Sequence, residues 1–575
     1  MSRSLRFLLT LLLLAIPWTA PAQTTTASIG GVVRDASGAT VAGTKVTALN
    51  LLTSFSRTTT ADDSGGYLIT NLPIGDYAVT GEKDGFQRYT QAGITLVVGQ
   101  NARVDLQLQI GSITEDVNVT IEIPDVDTRS ATVGEVVDRV RIQELPLNGR
   151  NTMELAAVVP GVISVSAPAI VTNARSGPQL VVAGGRDTSN EYRFDGTSHK
   201  NLTQNTALNL PAPDALQEFR VVTSNVSAEY GRYTGGTVIA VTRAGTNEYH
   251  GTAWEYFRND KLNGTNYFAT TKPDLNQNQY GFTLGGPFVR NRSFFFGSYQ
   301  GVQVKQTRLF ATATPPTAEL RAGNFTNAAR QPLDPLTRLP FPNNTIPSSR
   351  FDPVAVEVMN RYVPLPNASG GRWSELVSQP TNGNQYLGRF DYNISASNIA
   401  NIRYFRDSTE LFTQNGNISP YAPNRRALTV DNWALQDTHT FSQTLLNEFR
   451  LGVNRVDSKV FVLEDTQLSD LGANFPGVIT PQLPTIGVTG FFNLATQDVF
   501  GEDGGIYQIS NVLRWFRGRH SLSVGGEFEW TQMFNRGSSA NQGVFSFDGH
   551  ATGNAFADFL LGKPLSLDQA SPYER

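Results

Sequence analysis

The second half of the chain is written in strict alternation, and that alternation constrains its fold more than any other feature. In Ser521-Leu-Ser-Val-Gly-Gly-Glu-Phe-Glu-Trp530, Leu522, Val524, Phe528 and Trp530 fall on one side and Ser521, Ser523, Glu527 and Glu529 on the other. In Glu448-Phe-Arg-Leu-Gly-Val-Asn454, Phe449, Leu451 and Val453 oppose Glu448, Arg450, Gly452 and Asn454, and Arg389-Phe-Asp-Tyr-Asn-Ile394 repeats the scheme. A period of two means strands. A half-buried soluble sheet and a transmembrane barrel both produce it, and they differ in whether the apolar side meets a core or lipid. Trp254, Tyr256, Tyr280, Phe282, Tyr299, Tyr404, Trp515 and Trp530 lie in or near the ends of such runs, where a barrel carries its interfacial girdles. Past the N-terminus no run of about 18 uncharged apolar residues occurs, so the chain cannot cross a bilayer by helices. If it is embedded in a membrane it has to form a closed β-barrel, because only closure satisfies every backbone group in lipid.

Charge and cysteine content narrow the function. The 46 Lys and Arg nearly balance the 50 Asp and Glu, which speaks against a nucleic-acid partner. Charged residues are 17% of the chain, below the average of about 25%, as expected of a sequence rich in strands and turns. With no cysteine there is no disulfide, thiolate nucleophile or zinc ribbon, and His199, His250, His439, His520 and His550 share no metal-ligand spacing. No Ser-His-Asp constellation or phosphate loop appears. We therefore expect no catalytic residues, no metal, no cofactor and no enzymatic activity.

Residues 1–22 read as a secretory signal. Arg3 and Arg6 precede the short apolar run Phe7 to Ile16, and Ala20-Pro21-Ala22 supplies a small-x-small cleavage site.

Residues 24–110 carry short alternating runs between Gly, Asp and Pro turns. Val104, Leu106 and Leu108 alternate with Arg103, Asp105 and Gln107, while Asp62-Asp-Ser-Gly-Gly66 and Pro73-Ile-Gly-Asp76 mark turns. About seven such strands predict an all-β sandwich. Gly31-Val-Val-Arg-Asp35, Gly38, Val41, Gly43, Val46, Gly66-Tyr67 and Leu72-Pro-Ile-Gly-Asp-Tyr77 together resemble the carboxypeptidase-regulatory-like domain. That resemblance implies a prealbumin-like or starch-binding-like sandwich, in a superfamily where carbohydrate binding occurs. No exposed Trp pair supports sugar binding here, so we read a structural module. Asp62 and Asp63 read as a solvated turn in preference to a Ca²⁺ site.

Residues 113–247 open with Ile113-Thr-Glu-Asp-Val-Asn-Val-Thr120, which is either an ordinary strand or one that another protein's sheet captures. Three motifs follow in order: Leu145-Pro146-Leu147-Asn148-Gly149-Arg150-Asn151 with Pro160-Gly-Val162; Val182-Ala-Gly184-Gly185-Arg186 with Asn190-Glu-Tyr-Arg-Phe-Asp195-Gly196; and Ala228-Glu-Tyr230-Gly231-Arg232 with Thr234-Gly235-Gly236 and Val241-Thr-Arg-Ala-Gly-Thr-Asn247. Taken singly they are turn chemistry; Asp195-Gly196, for example, suits a tight hairpin. Their order and spacing resemble the plug of TonB-dependent outer-membrane receptors of the Oar-like branch. A plug is a small α+β domain, and Pro213-Asp-Ala-Leu-Gln-Glu-Phe219 reads as a short helix within it. The resemblance assigns Glu115, Asp116, Val117, Asn118, Val119 and Thr120 to the TonB box, the segment that the TonB complex of the inner membrane grips. Asp116-Val117 departs from the family pattern, in which Thr follows the acidic residue.

Residues 248–575 carry the barrel strands. Asn247 to Asn259 resembles the family's first strand, Gly285-Gly-Pro-Phe288 with Ser293 to Tyr299 its next hairpin, and Phe556-Ala-Asp-Phe-Leu-Leu-Gly562 a later Oar-like motif. Thr312 to Pro380, rich in Pro and Asn, reads as a long extracellular loop with local structure. The fold expected is thus mainly β: a sandwich, a small α+β plug and part of a transmembrane antiparallel barrel. Such transporters have about 22 strands. Residues 250–575 offer roughly ten of the ~9–11 residues a span needs, so we read the sequence as an incomplete product of a longer gene. The resemblance implies export to the cell outer membrane, contact with its lipid, and TonB-driven import of an extracellular ligand: a siderophore, an oligosaccharide or a peptide. The alternative is a secreted or surface β-protein binding carbohydrate through its front sandwich.

Overall fold

The computed structural model describes residues 26–569 except 112–115, 121–131, 166–178, 204, 230, 266–271, 419–420, 465, 474–481, 498–499, 518–519 and 537–542. The expected signal segment, Glu115 and Tyr230 lie outside the described residues.

The front unit is a sandwich of two sheets. One joins β1 (Ala27–Asp35) to β4 (Gly66–Leu72), β7 (Asn101–Arg103) and β8 (Leu106–Leu108). The other runs β3 (Ser56–Thr60), β2 (Lys45–Asn50), β5 (Gly75–Glu82), β6 (Arg88–Leu96) and β9 (Asp116–Thr120). Alternation supplies its core: Ile29, Val33, Val46, Val79, Leu106 and Leu108 are buried between the layers. Asp62 is spent on its own turn, accepting hydrogen bonds from the Ser64 and Gly66 amides, each at 2.9 Å. β9 lies outside the 24–110 span expected for the sandwich, yet it pairs with β6 in parallel, Arg88 opposite Asp116 through Ala92 opposite Thr120. The acidic-then-Val segment is therefore a paired strand on one of its edges.

The next unit is a sheet in the order β10 (Val133–Val137), β15 (Leu216–Ser224), β16 (Thr237–Thr242), β13 (Glu191–Phe194) and β14 (Thr197–Ser198). Beside it lies a ribbon of β11 (Val162–Ser164) and β12 (Leu180–Val182). One expectation is corrected here. Pro213–Ala215 makes only a single 3₁₀ turn, and Leu216–Phe219 belongs to β15. Leu216, Phe219, Val221 and Val222 are buried and β15 is hydrogen-bonded on both edges, so tertiary pairing overrides local helix chemistry. The helix of this unit is instead Arg139–Glu144, started by the Asp138 carboxylate, which accepts from the Arg141 amide.

The alternating region forms one antiparallel wall. Nine long strands follow one another: β17 (His250–Asn259), β18 (Leu275–Val289), β19 (Ser293–Phe310), β21 (Thr381–Ser395), β22 (Asn398–Thr413), β23 (Asn424–Ser442), β24 (Leu445–Val462), β27 (Phe500–Arg517) and β28 (His520–Arg536). The short β20 (Glu375–Ser378) pairs with β19. β17 and β28 stand at opposite ends of this order, so the described wall is an open arc. The faces separate as the sequence predicts. Leu522, Val524, Phe528 and Trp530 are exposed on the outer face, while Glu448, Arg450, Asn454 and Gln508 are buried on the inner one. Aromatic rings line the outer face in two rows. Tyr299–Tyr386, Tyr404–Trp433 and Tyr507–Trp530, at 5.2, 4.2 and 5.2 Å, form one; Phe288–Phe295 and Phe288–Phe390, at 4.9 and 5.7 Å, form the other, nearer the short turns.

Long connections gather at the opposite end of the strands, and they share a core. The helices Pro353–Tyr362 and Ala555–Leu560 pack with a sheet of β26 (Phe492–Leu494), β25 (Thr485–Val488), β29 (Val544–Phe547) and β30 (Ser566–Asp568) around Phe325, Tyr421, Phe556 and Phe559. Phe556, Phe559 and Leu560 of the Phe556–Gly562 motif thus lie in the shared core of these connections.

Candidate interface between the middle unit and the wall

The middle unit sits against the inner face of the wall, and its contacts there combine an apolar seam with buried charge. Phe296, Leu387 and Phe405 of the wall join the same core as Phe194, Phe219 and Val238. Around this seam stand three ionic clusters.

The first is built on the β13–β14 hairpin. Asp195 and Gly196 both have positive φ, 48° and 78°, as a two-residue hairpin turn of this hand requires. The Asp195 carboxylate accepts from the Thr242 amide and hydroxyl at 2.9 Å and from Arg403 Nε at 3.0 Å. Arg403, buried on β22, also donates to the Phe194 carbonyl at 3.0 Å and stacks over its ring at 3.9 Å. Arg389 on β21 donates to the Thr242 carbonyl at 3.1 Å. A Cβ on Gly196 would stand 3.1 Å from Arg450 Nε, so the wall arginine would have to give by a few tenths of an ångström to admit a side chain.

The second cluster is centred on Glu527 and Glu529 of β28. Arg193 on β13 donates to both oxygens of Glu527 at 3.1 and 3.0 Å and pairs with Glu191. Lys200 lies 3.4 Å from Glu191 and 3.8 Å from Glu529, which also pairs with Arg232. Burial pushes the Glu191 carboxyl up, while Arg193 and Lys200 oppose that shift. The third cluster joins Arg514 of β27 to Glu229 at 2.6 Å and to Glu448 at 3.4 Å.

The motif residues chosen from sequence fall into two groups. Several contact the wall or hold the hairpin: Asp195 and Gly196, as above, and Arg150, which pairs with Asp214 and lies over the Tyr256 ring at 4.2 Å. Gly149 has φ 64° and its carbonyl accepts from Gln279 Nε2 of β18 at 2.7 Å. The others shape the middle unit itself. Gly235 and Gly236 pass so close to Asn190 and Val182 that a Cβ would fall 2.5 and 2.4 Å from their side chains. The Gly236 amide donates to Asn190 Oδ1 at 3.0 Å. Gly184 (φ 75°) and Gly185 turn the chain after β12, with Arg186 and Gly231 exposed. Leu145 packs on the core of the middle unit beside exposed Pro146, and Asn148 begins the 3₁₀ turn that Gly149 and Arg150 complete.

Lys200, Arg403 and Arg514 lie outside the quoted motifs, and Arg193 lies inside one, Asn190–Gly196, without being chosen as a site residue. The readable signal was charge at inward positions of alternating runs, which did mark Glu448, Glu527 and Glu529.

On the side facing the short turns, the middle unit also holds the sandwich. Glu218 Oε1 accepts from the Val98 amide and Arg220 donates to the Val98 carbonyl, both at 2.6 Å. Burial pushes the Glu218 carboxyl up to about 8, and Arg220 and the Val98 amide act against that. Among the described residues, Asp548, His550 and Asp558 could hold a cation by proximity, but Asp558 accepts from Ala551 N and from Thr552 N and Oγ1 as a loop brace.

Comparison with known proteins follows this division of the chain. The family described as Outer membrane beta barrel domain matches residues 241–575. The chain belongs to that family. The carboxypeptidase regulatory-like domain matches residues 28–109, the front sandwich. The chain is a homologue of the TonB-dependent transporter Oar of Myxococcus xanthus, 28% identical over 287 residues, which are 47% of this chain and 26% of that relative. Among solved structures, the outer membrane transporter YddB of Escherichia coli aligns at TM-score 0.43 and 13% identity over 72% of this chain and 50% of its own. The ferric yersiniabactin uptake receptor FyuA of Yersinia pestis aligns at 0.41 and 11%, over 77% and 60%. The match to Oar thus spans about a quarter of that protein's length. Membership of an outer-membrane barrel family makes the exposed apolar face the one that meets lipid.

Proposed function

We propose that this chain carries the sandwich, plug and part of the barrel of a TonB-dependent outer-membrane transporter that imports an extracellular ligand. Residues 113–247 act as the coupling segment and plug, and residues 248–575 supply barrel wall. The observation that carries this reading is the interface just described. A unit seated on the inner face of the wall is held by hydrogen-bonded buried ion pairs, whose attraction is largely offset by the cost of removing them from water. Such contacts fix one seating without making it permanent, because entering water can solvate both partners when the plug shifts.

The path for force is short. Thr120 ends the coupling strand β9 and Val133 begins β10, which is the edge strand of the plug sheet. Tension on β9 therefore reaches first the strand that has one neighbour to lose. The ligand is a small molecule gripped by the long connections and the plug apex, of siderophore, oligosaccharide or peptide class. No covalent chemistry is needed, so the protein acts as a transporter and not as an enzyme. The rival reading as a secreted carbohydrate binder would need Leu522, Phe528 and Trp530 in an interior, whereas they are exposed on the sheet's outer face.

The test uses the absence of cysteine from these 575 residues, with any cysteine of the full-length protein outside them replaced by serine. Val119→Cys in the full-length protein should cross-link in cells to single-cysteine positions on the TonB periplasmic domain. Val117→Pro, which removes a backbone donor, should abolish that cross-link while leaving assembly intact. Cross-linking unaffected by the proline would place coupling elsewhere.

A further inference from the structure

The coupling strand does not hang free of the sandwich. Its five residues extend the sheet β3-β2-β5-β6 in parallel register, and β9 is the last strand in that order. Among the described residues nothing pairs with its other edge. In a strand, successive backbone groups point to alternate edges, so pairing with β6 leaves a second set of donors and acceptors directed away from the sheet.

We infer that the sandwich displays β9 as a ready edge strand, and that the partner which grips it adds its own extended strand there, as the sixth strand of a sheet shared between two proteins. The inference rests on the assignment of Asp116–Thr120 as the coupling strand and adds what the sandwich does for it. An unattached segment must be ordered before it can pair, and that conformational cost weakens binding. Here β6 has already fixed the extended backbone. The platform is itself anchored: Glu218 and Arg220 clasp Val98, in the turn that follows β6, so the sandwich carrying the open edge is tied to the middle unit. The partner this surface fits is a periplasmic protein with an exposed strand, bound mainly through main-chain hydrogen bonds. The opposite arrangement, in which β6 masks the segment and the partner must strip it away, predicts the reverse response to locking β9 in place.

The experiment locks it. Thr90 and Asn118 are register partners in the β6–β9 ladder. Neighbouring strands place such Cα atoms about 5 Å apart, within disulfide reach. The full-length protein with Thr90→Cys and Asn118→Cys is compared, oxidised and reduced, for binding to the purified periplasmic domain of its cognate TonB. Display predicts that the disulfide forms and that the oxidised protein binds within about twofold of the reduced one. A tenfold or greater loss on oxidation, reversed by reduction, would overturn display in favour of masking. Failure of the bond to form would overturn the pairing itself. A Val117→Pro control separates the two claims: TonB binding that ignores the proline defeats the coupling assignment, wherever β9 rests.

Discussion

Arg193 on β13 meets Glu527 on β28 through two hydrogen bonds of 3.1 and 3.0 Å, joining plug to wall across most of the chain. Glu191 completes the neutralisation of the guanidinium from the plug side. Arg193→Ala leaves two carboxylates without their shared cation in a buried site, and the expected loss of stability is roughly 3–5 kcal/mol. Arg193→Ala with Glu527→Ala should cost less than the sum of the single changes. Denaturant unfolding of the detergent-solubilised full-length protein, run as a double-mutant cycle, measures the coupling. Strictly additive losses would mean that the pair is incidental.

The hairpin glycines separate backbone strain from crowding. Gly184 and Gly196 have nearly the same φ, 75° and 78°, but a Cβ on Gly184 meets nothing within 4 Å while one on Gly196 meets Arg450. Gly184→Ala should cost about 1–2 kcal/mol from the left-handed backbone alone. Gly196→Ala should cost measurably more, because a wall arginine has to move. Equal costs in thermal unfolding would remove the wall from the explanation.

The sandwich–plug clasp should depend on pH. Glu218 rests at about 8 when folded, above the ordinary Glu value near 4.5. A raised folded pKa means the unfolded state loses its proton first. The stability that Glu218 contributes is therefore complete below about pH 4.5 and disappears as pH rises through about 8. Chemical denaturation of the sandwich–plug junction across this window should show the decline in wild type and a flatter profile in Glu218→Gln. Parallel profiles would assign the pH dependence to other groups.

Most of the architecture was legible because one period, the alternation of two, carries it. Alternation separated Leu522, Val524 and Phe528 from Ser523, Glu527 and Glu529, and the structure places the two sets on opposite faces. The helix expected at Pro213–Phe219 failed because local capping chemistry does not register that β15 has a neighbour on each edge. The salt-bridge partners were illegible for a related reason. Arg193 and Glu527 lie hundreds of residues apart, and nothing in either local sequence specifies the other. The attachment of β9 to β6 was open from sequence, since Val117 and Val119 suit a free strand as well as a paired one.

The outer face should tolerate apolar change and reject charge. Val524, exposed on β28, is flanked by Leu522 on the same face. Val524→Leu should leave folding in lipid unchanged, whereas Val524→Arg should cost up to about 2–4 kcal/mol if the site lies at mid-membrane depth. Folding titrations into vesicles compare the two. An arginine without cost would indicate a watery surface.

The central claim is that this apolar face meets hydrocarbon while the opposite face meets the plug. Single cysteines introduced one at a time along residues 521–530 of the full-length protein in lipid, each carrying a nitroxide, test it most directly through collision with oxygen, which partitions into lipid. Oxygen access should rise at positions 522, 524, 528 and 530 and fall at 523, 525, 527 and 529, with a period of two. Uniformly low access at the apolar positions would mean that they are packed inside the protein, and the transporter reading would fail with them.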